Sequence, residues 1–208
     1  MKQLTIAVGP QGSGNHLYAK LFGSNTNVFA WQSLQTKYWE GHDMEPFADC
    51  WENPKLLLDF SIDTHDYYYT SIGCPYVFNG KTCIPQFQEF DKYAVQKFDH
   101  VNYMIIGRDK NILEHQQTRV RGGVTYTKFL EHLDFFLDKS PVWVSQELIY
   151  LYGIQYLNSV EKQLNIPQQM RNIADILVED KNTKYMSYVE HTELDDLIKL
   201  ASSRRGAL

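Results

Sequence analysis

The stretch Leu4-Thr5-Ile6-Ala7-Val8-Gly9-Pro10-Gln11-Gly12-Ser13-Gly14-Asn15-His16-Leu17 decides the fold. Its first five residues are a short apolar run closed by Gly and Pro, which reads as a buried strand. A glycine-rich turn follows, and Leu17, Tyr18, Leu21 and Phe22 then recur at helical spacing. The outline Gly-x-x-x-x-Gly between a strand and a helix is the setting of a phosphate-binding loop. Glycines let successive backbone N–H groups turn toward one anion, and the helix N-terminus adds its dipole. Gln11, Gly12, Ser13, Gly14, Asn15 and His16 are therefore candidate cofactor-binding residues. The same turn also reads as a tight structural connection. An NTPase loop carries Lys and then Ser or Thr where this chain has Asn15 and His16, so neither the γ-phosphate cation nor the Mg²⁺-binding hydroxyl comes from its usual place.

Working outward, Leu56-Leu57-Leu58-Asp59-Phe60-Ser61-Ile62 reads as a second strand, Tyr103-Met104-Ile105-Ile106 as a third and Val142-Trp143-Val144 as a fourth. Between them lie amphipathic stripes. Pro85 opens one with Phe87, Phe90, Ala94 and Phe98, a second spans Phe129 to Leu137, and a third runs from Leu148 to Val160. Thr192-Glu193-Leu194-Asp195 is a capping-box start for a last helix. Strands alternating with helices predict an α/β fold with a central parallel sheet. Ligands then bind at the carboxyl ends of the strands, here residues 9–16, 63–66, 107–110 and 145–147.

The chain has 208 residues, 20 basic and 25 acidic side chains and a formal net charge of −5. The length predicts one domain over residues 1–208, and 14% aromatic residues argue against extended disorder. The mild acidity argues against a general nucleic-acid coat. No apolar run reaches the ~20 residues of a membrane span, and the start is too short for a signal peptide. Cys50, Cys74 and Cys83 cannot all pair and form no CxxC, which predicts free thiols in a reducing, cytoplasmic setting. The seven His residues form no HxH or HExxH pair, so no metal site is expected.

Pro10, Ser13, Gly14 and Leu17, opening a helix after a strand, resemble the 5′-phosphosulfate loop of the sulfotransferases. The resemblance implies a three-layer P-loop NTPase-like fold and the donor 3′-phosphoadenosine 5′-phosphosulfate (PAPS). Family members usually carry Lys or Arg immediately before the Ser-Gly, where this chain has Gly12. The stretch Tyr103 to Ile112 is similar to the family's 3′-phosphate motif. Arg108 takes the place of its arginine, and Gln116 stands where the family has serine. Ser145-Gln146-Glu147-Leu148 resembles the Tyr-Glu-Asp-Leu of the family, and Arg204-Arg205-Gly206 its Arg-Lys-Gly. Together these cover about residues 1–150.

The implied reaction is sulfuryl transfer from PAPS to a hydroxyl or amine of a small-molecule or glycan acceptor, with no nucleic acid or membrane involved. It needs in-line positioning, charge stabilisation and a base. Thr64-His65 partly matches the family's Lys-Thr-His, and His65 between Asp63 and Asp66 reads as that base or as a locally bonded loop histidine. Glu147 is the fallback base. Arg119-Val120-Arg121-Gly122-Gly123 reads as an arginine lid over an anion or as an exposed turn. Tyr67-Tyr68-Tyr69, Trp31, Trp39 and Trp51 read as an aromatic binding wall or as core. A P-loop nucleotide or nucleoside kinase and a non-catalytic nucleotide-binding relative stand as the alternatives.

Overall fold

A computed structural model of the chain describes residues 1–180. The helix expected from Thr192 and the pair Arg204 and Arg205 lie outside the described residues. The chain runs through β1 (Gln3–Pro10), α1 (Asn15–Gly23), β2 (Val28–Phe29), α2 (Ala48–Glu52) and β3 (Tyr67–Cys74). A small antiparallel hairpin, β4 (Tyr76–Phe78) and β5 (Lys81–Cys83), precedes α3 (Phe87–Lys97) and β6 (His100–Gly107). Then come α4 (Lys110–Arg121), α5 (Thr127–Leu130), α6 (Leu133–Leu137), β7 (Val142–Ser145), α7 (Gln146–Gln163) and α8 (Ala174–Val178).

Five strands form a parallel sheet in the order β2-β3-β1-β6-β7. β1 is its centre, and all eight of its residues are buried. That is why its sequence reads as a continuous apolar run: helices cover both faces. Leu4, Ile6 and Val8 pack on one side with Phe90 of α3 and Phe136 of α6. Ala7 faces the other, against Leu17 and Phe22 of α1 and Ile149 of α7. Consecutive strands step from β1 to the β2–β3 side and then cross to β6 and β7. The carboxyl end of β1 is thus the place where the order reverses and a crevice opens.

The second strand is not where its apolar run predicted. Pro54–Leu58 is a 3-10 turn with Pro at its start. Leu57 is fully buried, but Leu56 and Leu58 are 40% and 37% exposed. A run that buries one face only suits a turn lying on α3, to whose Lys97 the Leu58 carbonyl is bonded. The strand is instead Tyr67–Cys74, paired with β1 over its whole length. Tyr68 and Tyr69 are core residues, as are Trp31 and Trp51. The stripe from Phe129 to Leu137 is two short helices rather than one.

No helix among the described residues is long and apolar enough to cross a membrane.

Candidate functional site

The loop from Gly9 to Gly14 leaves the carboxyl end of β1 and enters α1. Gly12 and Gly14 both adopt left-handed backbone, with φ of 89° and 115°. Each also lies against a side chain: a Cβ on Gly12 would meet Gln116 Oε1 at 2.5 Å, and one on Gly14 would meet Gln146 at 3.1 Å. Only glycine combines that conformation with that approach. Among the described residues no backbone carbonyl accepts from the amides of Gly12, Gly14, Asn15 or Leu17, whereas Ser13 N closes a turn on Pro10 O at 3.1 Å. Free amides on alternating glycine turns at a helix start are the electrostatic requirement for holding an anion.

Neighbouring side chains fix this loop. Arg108, just past β6, donates through Nη1 to Gly12 O at 2.7 Å and to Gln116 Oε1. Gln117 of α4 is 1% exposed. Its Nε2 donates to Gln11 O at 2.7 Å, and its Oε1 accepts from Thr125 N and Tyr126 N. Thr125 Oγ1 reaches Gln11 Oε1 at 3.2 Å. α4 itself starts cleanly because Asp109 caps it, accepting from Asn111 N and Ile112 N.

A cavity of about 620 Å³ opens beside the loop, within the range of small-molecule sites. Gly12, Gly14, Asn15, His16 and Lys20 form one wall, and Gln116, Val120 and Arg121 of α4 another. Tyr38, Trp39, His42 and Asp43, from the connection after β2, close a third side, with Gly73 and Pro75 at the end of β3 below.

The expected residues separate into three groups. Gln11, Gly12, Gly14, Asn15, His16 and Gln116 line the cavity, and Arg108 joins Gly12 to Gln116. Ser13 belongs to the loop, but its hydroxyl is turned beneath it onto Gly9, fully buried and without a hydrogen bond. His16 donates through Nε2 to Glu40 O, 2.8 Å away, and its ring stacks on Trp39 and meets His42 edge-on. Glu40 anchors this connection. Burial works to raise its carboxyl, but hydrogen bonds from Lys37, Ser33 and Trp31 outweigh that and hold it below the usual range. Burial, then His16 and Arg121, push the His42 imidazole down to about 3, so it stays neutral.

His65 is the clear departure. With the strand at Tyr67–Cys74, Asp63 to Asp66 precede a strand instead of following one. Asp66 O accepts from Gln3 N and His65 O from Lys2 Nζ, which sets His65 beside the amino end of β1. An eight-residue strand of about 26 Å separates it from the loop. The structure does not bring it into the cavity. Glu147 does not line the cavity either. It accepts from Asp109 N at 3.1 Å and from Ser145 Oγ at 2.8 Å, and so ties the start of α7 to the end of β6. Its neighbour Gln146 is the residue that touches the loop, at Gly14. Of Arg119 and Arg121, read from the sequence as a lid or an exposed turn, Arg121 lines the cavity.

Among the cavity groups not singled out in the sequence are Lys20, His42, Asp43, Glu179 and Asp180. Lys20 carries a signal: it lies four residues after His16, on the same face of α1. Asp43 lies in a connection with no periodicity to mark it. Among the described residues no three His, Cys, Asp or Glu side chains are placed to hold a metal ion. Cys50 and Cys74 are buried free thiols, pushed up to about 12 mainly by burial. Compared with known protein families and with curated proteins, the sequence finds no match.

Proposed function

We propose that the protein is a sulfotransferase-like group transferase that takes PAPS at the glycine loop and serves an acceptor bound in the same cavity. The observation that carries this reading is the loop itself: amides of Gly12, Gly14, Asn15 and Leu17 that no carbonyl among the described residues accepts from, at the carboxyl end of the central strand, with Arg108 and Gln116 joined beside Gly12. The loop suits an anion in its backbone: both left-handed glycines stand at the start of α1, where amides and the helix dipole favour negative charge. Bound there, the donor would supply a sulfuryl group, whose sulfur bonds to the acceptor oxygen or nitrogen as the bond to the 5′-phosphate oxygen breaks.

The chain's own residues would then divide the work. Loop amides would hold the 5′-phosphosulfate, and Arg108 with Gln116 would hold the 3′-phosphate through charge-assisted bonds. The acceptor's proton needs a base within the cavity, and neither His65 nor Glu147 lies there. Glu179 is paired with Lys20, and Asp180 accepts from Gln146 and Tyr150. Asp43 is the cavity carboxylate left without a bonded partner among the described residues, and it would take that proton.

Calorimetric titration with adenosine 3′,5′-bisphosphate, and separately with ATP and Mg²⁺, tests the reading. Binding of the bisphosphate without metal is expected. Binding of ATP only with Mg²⁺ would turn the assignment to a nucleotide kinase. Binding of neither would remove the nucleotide reading.

A further inference from the structure

The missing loop lysine leaves a question of charge. Glycine amides alone carry only partial charge, and position 15 is a neutral, buried Asn whose Nδ2 is aimed at Gly73. Arg108 is held by Gly12 and Gln116. The loop's own wall nevertheless contains a full cation. Lys20 is 8% exposed and lines the cavity one helical turn beyond His16. Helical side chains lean toward the N-terminus, and four residues span about 6 Å of axis. A lysine stem covers that distance, so Lys20 shares the level of His16 on the cavity wall that also carries Gly12 and Gly14.

Its neutralisation is unusual. Among the described residues the one carboxylate within 4 Å of Lys20 is Glu179, at 3.5 Å, and that carboxylate is 60% exposed. A charge-assisted bond is ordinarily about 2.8 Å. A nearly buried ammonium with one long contact to a solvated partner is only partly compensated. Glu179 arrives on the segment after α8, a five-residue helix that packs on α1 through Ile173 and Leu177. The next residue, Asp180, accepts from Gln146 Nε2, and Gln146 is the side chain against Gly14. One short segment thus brings two carboxylates to the anion loop, each on a group that faces it.

We infer that Lys20 supplies, from the second turn of α1, the positive charge that position 15 lacks, and that Glu179 is its resident counter-ion, displaced when the anionic group of a ligand enters the loop. Resting on the loop reading above, this makes Lys20 a binding residue and the 174–180 segment a carboxylate strap that competes with ligand. Exchange of one anion for another leaves the ammonium paired throughout, so a buried charge is never stranded.

The test uses three variants of the full chain: Lys20→Met, which keeps the aliphatic stem, Glu179→Gln, and the double variant. Titration with adenosine 3′,5′-bisphosphate should show Lys20→Met weakened at least tenfold. Glu179→Gln should bind several-fold more tightly than wild type, because the competitor is gone. In the double variant the gain from Glu179→Gln should vanish. A Lys20→Met protein that is folded by circular dichroism and binds like wild type overturns the inference, and so does weaker binding by Glu179→Gln. The same series is run with inorganic pyrophosphate. If the bisphosphate fails to bind wild type, the nucleotide reading falls, and the pyrophosphate series alone decides for or against Lys20. Pyrophosphate binding that is absent, or indifferent to both substitutions, overturns it.

Discussion

The guanidinium of Arg108 donates to the carbonyl of Gly12, 2.7 Å away and 96 residues distant in sequence. The arginine at the end of β6 therefore sets the loop that follows β1, besides facing Gln116. Two effects of its removal follow and can be separated by ligand. Arg108→Ala should weaken adenosine 3′,5′-bisphosphate by roughly ten- to a hundredfold, from the loss of charge-assisted bonds worth about 1.5–3 kcal/mol. Adenosine 5′-monophosphate, which lacks the 3′ group, should weaken less, through the loosened loop alone. Arg108→Lys should recover only part, since a point charge cannot copy the guanidinium fork. Equal losses for both nucleotides, measured by calorimetry, would show that Arg108 acts only on the loop.

Gly14→Ala should destabilise the fold as well as the site. Its φ of 115° is strained for any L-residue, and the new methyl would press on Gln146 at 3.1 Å. A cost of about 1–2 kcal/mol is expected from the backbone alone. Adding Gln146→Ala should relieve the contact but not the backbone strain, so the double variant should remain less stable than Gln146→Ala in urea unfolding. Full recovery would contradict the geometry.

Glu45 should make stability depend on pH. It is buried, and burial pushes its carboxyl up to about 8, against hydrogen bonds from Thr70 and the amides of Phe47 and Ser71. The unfolded chain titrates this group near 4.3. Folding therefore favours the protonated form. The contribution is complete below about pH 4.3 and is lost as pH rises to about 8. The Glu45→Gln variant should lose less stability than wild type between pH 5 and 9, as read by thermal melts. Parallel curves would place the carboxylate's compensation elsewhere.

Asp43→Asn tests the base. If Asp43 takes the acceptor's proton, this variant should lose two to four orders of magnitude in turnover, on the usual scale of general-base catalysis, while binding adenosine 3′,5′-bisphosphate as wild type does. Unchanged turnover would exclude Asp43 and return attention to Glu179 and Asp180.

What was legible in the sequence was the part where local chemistry and tertiary role agree. Gly9 and Pro10 end β1 sharply, and the stripes of α3 and α7 face one core each. The run at Leu56–Ile62 misled because apolar content alone does not separate a strand from a turn laid on a helix. Pro54 and the exposed Leu56 and Leu58 decide for the turn. β3 was hidden by its three tyrosines, which read as a binding wall or as core; they lie in a sheet covered on both faces. That single displacement moved His65 from the carboxyl to the amino end of the sheet. Arg108 follows a strand end, where a parallel sheet places its ligands, but Gln116 was singled out only through the resemblance to the sulfotransferase 3′-phosphate motif, eight residues on. Asp43 was not, since irregular connections carry no period.

The amides of the glycine loop are expected to hold an anionic nucleotide. Amide-resolved ¹⁵N NMR during titration with adenosine 3′,5′-bisphosphate addresses it residue by residue. The amides of Gly12, Gly14, Asn15 and Leu17 should shift together with a single dissociation constant, along with the Arg108 side-chain signals, while His65 at the far end of the sheet stays still. Saturation at about 100 times that constant should also add about 2.7 kcal/mol of stability. Loop amides that do not move at saturating nucleotide, or a response centred on the amino end of the sheet, would contradict the account.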